Sequence, residues 1–362
     1  MPSKLLISRS SVPAIIFLVY DYVLSRNSGE YLNLKGVAVT ALCVFFIFIS
    51  IRNRKIYLTA NKYVVSLLVI SLVSNLIYIC HHGINGIQYI LIKLMIMLSL
   101  YIYAVNINVA QFIGFFKTIF LLVLFLSPFY ILFGQGPPIY AALPYLILSR
   151  HKACFWIYIL ILSCVSYYYL DRGLLLILFM FAAIRMAEVD LKLKERYIKY
   201  SILTILLIVI VTQFIIGLNY SHNSFANIIL TKRPYIWGIY LDTIINTDYL
   251  KQIFGNGRID NNFATNVGEL VAYKFGNGRP YTSHSIYINT LYEYGILGFI
   301  LIIGPLIKLM MNHEFKQCES SYIISMLLIL GFVTPISLFG ITGISILFSL
   351  IVVYSLNNFT RN

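Results

Sequence analysis

The sequence predicts an all-α polytopic integral membrane protein. Hydrophobic residues make up 60% of the chain and charged residues 11%, whereas charged residues are about 25% of ordinary soluble domains. The long apolar runs approach the roughly 20 residues that a spanning helix needs. They lack the regular alternation of polar and apolar residues that a transmembrane barrel shows. The spans are therefore predicted to be helices.

Hydropathy and length predict about twelve transmembrane helices. They are centred on residues 5–25, 33–51, 61–80, 87–105, 110–133, 136–149, 153–170, 174–188, 198–217, 286–308, 322–338 and 341–357. The sixth contains three prolines, so this segment either spans the membrane or forms a re-entrant turn. We expect residues 1–362 to form a single membrane domain, with residues 219–285 as its one large polar loop.

Lysine and arginine favour cytoplasmic loops. Placing the N-terminus in the cytoplasm puts most of these residues on that side, so both termini are predicted to be cytoplasmic and the 219–285 loop external. The net charge of +14 is spread over many loops, without a basic arm or an aromatic-interleaved patch, so we expect no nucleic-acid partner. The cysteines fall mostly inside spans and show no pairing pattern, which predicts neither disulfides nor a metal–thiolate site.

The long loop contains a helix signal that begins at Arg233. Pro234 follows at the first turn, and an apolar stripe at helical spacing comes next, formed by Trp237, Leu241, Ile244 and Ile245. This pattern predicts an amphipathic helix on the outer membrane surface, which ends at the turn signal of residues 255–257. Arg233 would then stand at a helix N-terminus, which favours an anion. The alternative is an arginine that snorkels to the interface.

A short repeat follows, in which residues 254–258 and 275–279 both read Phe-Gly-Asn-Gly-Arg. The backbone N–H groups of such a turn can bind an anion, while Arg258 and Arg279 supply planar two-donor groups for phosphate oxygens. Two unrelated Asn-Gly turns would give the same pattern. The position of the second turn shortly before His284 favours the functional interpretation.

His284 closes the loop where the next span begins. Imidazole can accept a proton near neutral pH, although a histidine at the start of a helix can equally be structural. Between two spans on the same outer side lies Asp171-Arg172-Gly173. This tight turn contains an ion-capable pair, and an ordinary helix-end arginine explains it equally well.

Three charged residues, Asp21, Lys93 and Glu293, are predicted to lie in the outer halves of their spans. Buried charges in a membrane are normally paired, so a structural Asp21–Lys93 pair is the default and a substrate contact is the alternative. The outer surface carries no acidic pair that would hold a catalytic divalent cation. We therefore expect no metal site and no cofactor.

Taken in order, these motifs resemble the O-antigen ligase/polymerase superfamily of bacterial envelope glycosyltransferases. That superfamily carries Ser-Arg-Gly at the outer end of a middle span, and Arg-x-x-x-Trp followed by Gly-x-Gly in a large periplasmic loop. A His-Asn pair then opens a span that contains Glu-x-Gly and a second glycine. The corresponding residues here are Asp171-Arg172-Gly173, Arg233 to Trp237 with Gly255-Asn256-Gly257, and His284-Ser285 with Glu293 to Gly298. Asp171 and Ser285 depart from the pattern.

The resemblance implies a GT-C-like enzyme in the bacterial cell inner membrane, with its active site facing the periplasm. It would act on undecaprenyl-pyrophosphate-linked oligosaccharide, with membrane lipid and a polysaccharide chain-length regulator as its expected partners. His284 would be the general base, and Asp171 and Glu293 would give support. The groups that would bind the pyrophosphate are Arg172, Arg233, Arg279 and Arg258.

The 29 tyrosines and 25 phenylalanines look like those of Wzy-type polymerases, and aromatic rings also suit stacking on sugars. The resemblance therefore favours an O-antigen polymerase that joins repeat units. One alternative is an O-antigen ligase, which transfers the polysaccharide to the lipid A core. A flippase for lipid-linked oligosaccharide is a further alternative, but it would place its charges along a central cavity between short loops.

Overall fold

The computed structural model describes residues 11–26, 32–52, 62–82, 87–132, 145, 152–168, 172–187, 195–219, 233–257, 283, 285–312, 324, 328–329, 331 and 343–358. Most of these residues lie in helices, and none of them lies in a β-strand. The all-α architecture predicted from the sequence is confirmed for this part of the chain.

The helices in the first half are α1 Ser11–Arg26, α2 Leu32–Arg52, α3 Lys62–His82, α4 Ile87–Asn106, α5 Val109–Leu132, α6 Lys152–Tyr168 and α7 Arg172–Arg185. Those in the second half are α8 Glu195–Leu218, α9 Arg233–Ile245, α10 Tyr249–Phe254, α11 Ile286–Asn312 and α12 Gly343–Asn358. Apart from residues 136–149 and 322–338, which lie largely outside the described residues, each predicted span coincides with a helix.

Among the described helices, 4 contain stretches long and apolar enough to cross a membrane, namely Lys62–Cys80, Val109–Leu126, Arg196–Leu218 and Ile286–Met311. Shorter apolar stretches occur at Val39–Ser50, Ile90–Asn106, Phe155–Cys164 and Ser345–Asn357. These stretches are consistent with a polytopic membrane protein. The total of about twelve spans and the 219–285 loop as a unit stay predictions.

Aromatic side chains connect the two ends of the chain in one apolar core. The rings of Phe112 on α5 and Tyr354 on α12 stack at 3.8 Å, and Phe17 on α1 meets Phe115 edge to face at 6.3 Å. Helix α4 packs between α2 and α12, while α3 packs against α11. This core holds α3, α4 and α11 in place, and residues of the polar loop pack against this group of helices.

The loop helix α9 begins at Arg233 as predicted, and it is largely covered by other helices instead of exposing one polar face. Most of its side chains are buried, including Trp237 and Leu241, because α9 packs against both α8 and α11. Gly217 on α8 permits this close contact, since a Cβ atom there would lie 2.7 Å from Leu241 Cδ1. The helix also ends earlier than predicted, at Ile245, and the short helix α10 follows.

Candidate functional site

Helix α11 is broken at Gly295, and this break receives the turn of the polar loop. Gly295 has φ 67° and ψ −171°, a conformation that is essentially restricted to glycine. The carbonyl oxygens just before the break accept hydrogen bonds from the loop. Asn256 N–H donates to Tyr292 at 2.8 Å, and Gly257 N–H donates to Glu293 at 3.0 Å. We call residues 255–257 and 292–295 together the glycine junction.

The glycines of the junction are required by the closeness of the two backbones. A Cβ atom on Gly255 would overlap the carbonyl of Glu293, and one on Gly257 would overlap the carbonyl of Ser74 on α3. Gly255 and Gly257 also have positive φ, at 87° and 82°, which disfavours any larger residue. The Gly-x-Gly and Glu-x-Gly patterns in the sequence are therefore two halves of one packing contact.

This contact corrects the prediction that backbone N–H groups of the first Gly-Asn-Gly turn bind an anion. Gly255 N–H donates to Lys251 C=O at 2.7 Å, and the next two N–H groups donate to the broken helix. All three donors are occupied inside the protein. Anion binding by this turn would thus rest on Arg258, which lies outside the described residues.

The junction lies well away from the nearer ends of the two helices that hold it, at Ile286 of α11 and His82 of α3. At 1.5 Å per residue, Glu293 is about 10 Å along α11 from Ile286, and Ser74 is about 12 Å along α3 from His82. The Ser74 hydroxyl donates to the Glu293 carbonyl, which confirms that the two residues share one level. Residues 255–257 therefore lie between the helices, where burial strengthens electrostatic interactions.

The side chain of Glu293 pairs with Lys93 of α4, and both are buried. The Lys93 Nζ atom also lies 4.8 Å from the centre of the Tyr294 ring, a cation–π distance. The sequence did not predict this partner of Lys93, which is brought near because α3, α4 and α11 pack together at this level. The predicted Asp21–Lys93 pair stays a prediction, because the side chain of Asp21 lies outside the described residues.

The residues on either side of His284 are held in place, while His284 itself lies outside the described residues. Ser283 and Ser285 are fully buried. The Trp237 Nε1–H group donates to the Ser283 carbonyl at 2.7 Å, and the Ser285 hydroxyl donates to Gln213 Oε1 on α8 at 2.9 Å. The chain that carries His284 is therefore anchored on both sides by neighbouring helices.

Ser285 also begins helix α11. Its hydroxyl accepts a hydrogen bond from Ile288 N–H at 3.4 Å, and Asn289 N–H donates to its carbonyl at 2.9 Å. This is the pattern of an N-cap residue. The serine that departs from the His-Asn motif thus fixes the start of α11 and its contact with α8.

Helix α9, which begins at Arg233, contacts the segment around His284 through Trp237. Arg233 is the first residue of α9 and is half-buried. Trp237 follows one turn later on the same face, and its indole holds the Ser283 carbonyl. The hydrogen bond of Trp237 therefore joins α9, the helix that Arg233 begins, to the chain next to His284.

The remaining predicted site residues stay predictions. Arg172 begins helix α7, but its side chain lies outside the described part of the structure. The others, Asp171, Arg258, Arg279 and His284, are themselves outside it. Among the described residues, no group of histidine, cysteine, aspartate or glutamate side chains could hold a metal ion.

Two contributors to the site were not identified from the sequence. Gln213 lies inside a predicted span and accepts the hydrogen bond of Ser285; a polar side chain in an apolar helix is the signal that would have found it. Ser74 binds the Glu293 carbonyl through its hydroxyl. A serine in an apolar helix is too common to have been selected.

A comparison with known protein families finds a match in the part of the chain that contains α9 and the glycine break of α11. Residues 153–303 match the protein family described as O-antigen ligase. This match supports the resemblance to the O-antigen ligase/polymerase superfamily. The match supports an enzyme of the ligase/polymerase type, resembling a glycosyltransferase, that resides in a membrane. Searches among curated proteins and among solved structures found no match.

The O-antigen ligase match covers the loop side of the glycine junction and its broken helix. It runs from α6 to residue 303 of α11 and so includes Arg233, Trp237 and Glu293. The two residues that hold Glu293 from outside, Ser74 and Lys93, precede the matched segment. The site is therefore completed by helices that the family match does not include.

Proposed function

We propose that this protein is an O-antigen polymerase. It would join undecaprenyl-pyrophosphate-linked oligosaccharide repeat units at the periplasmic face of the bacterial inner membrane. The observation that carries the proposal is the hydrogen bond from Trp237 to the Ser283 carbonyl, which joins α9, the helix that Arg233 begins, to the chain next to His284. A cationic group and a base in one site would suit glycosyl transfer from a lipid pyrophosphate.

The proposed reaction is a single displacement. The acceptor hydroxyl oxygen attacks the anomeric carbon of the donor sugar, and the bond from this carbon to the pyrophosphate oxygen breaks. The electron pair leaves with the pyrophosphate, and His284 accepts the hydroxyl proton. Attack opposite to the leaving group inverts the anomeric configuration.

Pyrophosphate is a good leaving group, so the reaction needs no general acid. It does need donors that stabilise the negative charge, and such donors act most strongly where water is excluded. Arg233 and the N-terminus of α9 provide one such group, and Arg172, Arg258 and Arg279 are the further proposed donors. The proposed transfer is independent of metal, because arginines take the place of a divalent cation.

The ligase reaction is the second candidate, because the matching family is described as O-antigen ligase. Both reactions use the same donor and differ in the acceptor. The abundance of aromatic side chains, which can stack on acceptor sugars, favours polymerisation. Purified protein given lipid-linked repeat units alone should make longer chains. Product formation only after addition of lipid A core would instead support the ligase.

The test compares two kinds of variant in purified, folded protein. Arg233→Lys keeps the charge but removes the planar two-donor group, so chain elongation should fall about a hundredfold, which corresponds to about 3 kcal/mol. His284→Ala should lower elongation by about 10² to 10⁴ and leave binding of the lipid-linked donor nearly unchanged. Arg196→Lys is the matched control, because Arg196 is exposed at the opposite end of α8 from Gln213.

The outcomes separate the two roles. Elongation by His284→Ala at the parental rate would remove His284 as the base. Donor binding as weak in His284→Ala as in Arg233→Lys would assign His284 to the anion site. Parental elongation by Arg233→Lys would exclude Arg233 from binding the leaving group.

A further inference from the structure

We propose that the buried ion pair between Lys93 and Glu293 is a positioning device for the active site, and that Lys93 is a positioning residue outside the family-matched segment. The inference rests on the proposed function for what is positioned. The device itself is defined by contacts among described residues. It holds the turn of the polar loop in the break of α11.

Both members of this ion pair are buried. The side chains of Lys93 and Glu293 are 2% and 0% exposed, inside a membrane domain where isolated charges are strongly unfavourable. An ion pair in such a place contributes little net stability compared with apolar residues of the same volume. A role in fixing one arrangement of the surrounding helices is the physical alternative.

Glu293 joins three parts of the molecule. Its carboxylate pairs with Lys93 of α4, while its carbonyl accepts hydrogen bonds from the Ser74 hydroxyl of α3 and from Gly257 N–H of the loop. The carboxylate and the carbonyl belong to one residue next to a helix break. Because the ion pair holds the side chain of Glu293, it also holds the backbone carbonyl of Glu293 in the direction that accepts the hydrogen bond from Gly257 N–H.

The glycine junction is connected in the chain to the proposed pyrophosphate ligand and to the proposed base. Gly257 immediately precedes Arg258, a proposed pyrophosphate ligand, and Glu293 lies in the helix that begins just after His284. The contact between Gly257 and Glu293 thus fixes the chain next to the proposed anion-binding group to the helix that begins just after the proposed base. Loss of the pair should loosen the turn and lower the turnover number, with a smaller effect on KM for the donor.

The experiment measures the position of the turn without using substrate. The substitution Asn256→Cys is made in a background that lacks the 5 native cysteines, and the reaction rate of the new thiol with a thiol reagent is measured. Asn256 is half-buried and its backbone N–H forms the bond to α11, so the thiol should be protected in the parental junction. Tyr249→Cys is the control, because Tyr249 is 83% exposed on α10.

Two paired substitutions distinguish positioning from simple packing. Lys93→Met with Glu293→Gln removes both charges at similar volume, which should preserve folding. The proposal expects the thiol of Asn256→Cys to react about tenfold faster in this variant, and elongation at saturating donor to fall about tenfold, a change of about 1.4 kcal/mol. The exchanged pair, Lys93→Glu with Glu293→Lys, should regain most of the protection and of the turnover, while the thiol of Tyr249→Cys reacts equally in all variants.

The proposal is overturned if the uncharged pair protects the thiol of Asn256→Cys and elongates chains as the parent does. It is also overturned if the exchanged pair reacts as fast as the uncharged pair. Since thiol labelling needs no substrate, a protected turn that opens in the uncharged variant would support the device even if the protein proved to make no polysaccharide. Failure of the polymerase proposal is therefore separate from failure of the positioning proposal.

Discussion

Replacement of Gly295 by alanine perturbs the glycine junction most directly. At φ 67° and ψ −171°, a residue with a side chain is strained by about 1–3 kcal/mol. In addition, the new Cβ atom would lie 2.5 Å from Gly255 N and would overlap the carbonyl of Ile253. Both contacts are with backbone atoms, so the turn of the loop has to move away from α11.

Movement of the turn would break the hydrogen bonds from Asn256 and Gly257 N–H to α11, which contribute about 1 kcal/mol each. Added to the backbone strain, the loss is about 4 kcal/mol. This energy corresponds to an increase of about a thousandfold in the local opening of the junction. The expected result is faster hydrogen exchange of these two amides, measured by mass spectrometry, together with a large loss of elongation activity.

Gly304→Ala is the matched control, because Gly304 lies in the same helix and a Cβ atom there meets nothing within 4 Å. Alanine at that position should leave exchange of the loop amides unchanged, and it favours the helix by up to about 1 kcal/mol. If the Asn256 and Gly257 amides exchange equally fast in the Gly295→Ala and Gly304→Ala proteins, Gly295 is not required for the hydrogen bonds that join the loop turn to α11, and the reasoning is wrong.

Three further predictions concern topology, metal and the anchoring of the base. An impermeant thiol reagent should label Asn261→Cys in intact spheroplasts and leave Lys194→Cys unlabelled; the opposite pattern would reverse the predicted orientation. Elongation by purified protein should survive excess chelator, and a loss restored by magnesium or manganese would show that acidic ligands take part. Trp237→Phe keeps an aromatic ring but removes the 2.7 Å hydrogen bond to Ser283, so elongation should fall about tenfold, as loss of about 1–1.5 kcal/mol implies; an unchanged rate would mean that this bond does not position the base.

Local patterns in the sequence were sufficient to predict the architecture. Apolar length predicts membrane helices because a helix satisfies its own backbone groups in lipid. The start of α9 at Arg233 also followed from local signals, since Pro234 suits the first turn of a helix. The order of motifs predicted the superfamily that the match over residues 153–303 supports. These properties depend on residues that are close together in the chain, so they can be predicted from a single sequence.

The partners of polar groups could not be predicted in the same way. The Gly-Asn-Gly turn at 255–257 has the residues of an anion-binding turn, but its N–H groups bind α11 instead. Lys93 pairs with Glu293, which is distant in sequence, whereas the sequence favours Asp21. Each buried polar group needs a partner, and the sequence offers several of the right chemistry without indicating which one is near.

The sequence by itself thus determined an all-α membrane protein with an arginine at the start of a loop helix and a histidine before a later span. The tertiary structure decided that this helix is buried between α8 and α11 and that the loop turn enters the break at Gly295. The physical reason is the difference in range of the forces involved. Helix formation is a matter of residues within a few turns, whereas the junction depends on packing that brings α3, α4 and α11 to one level.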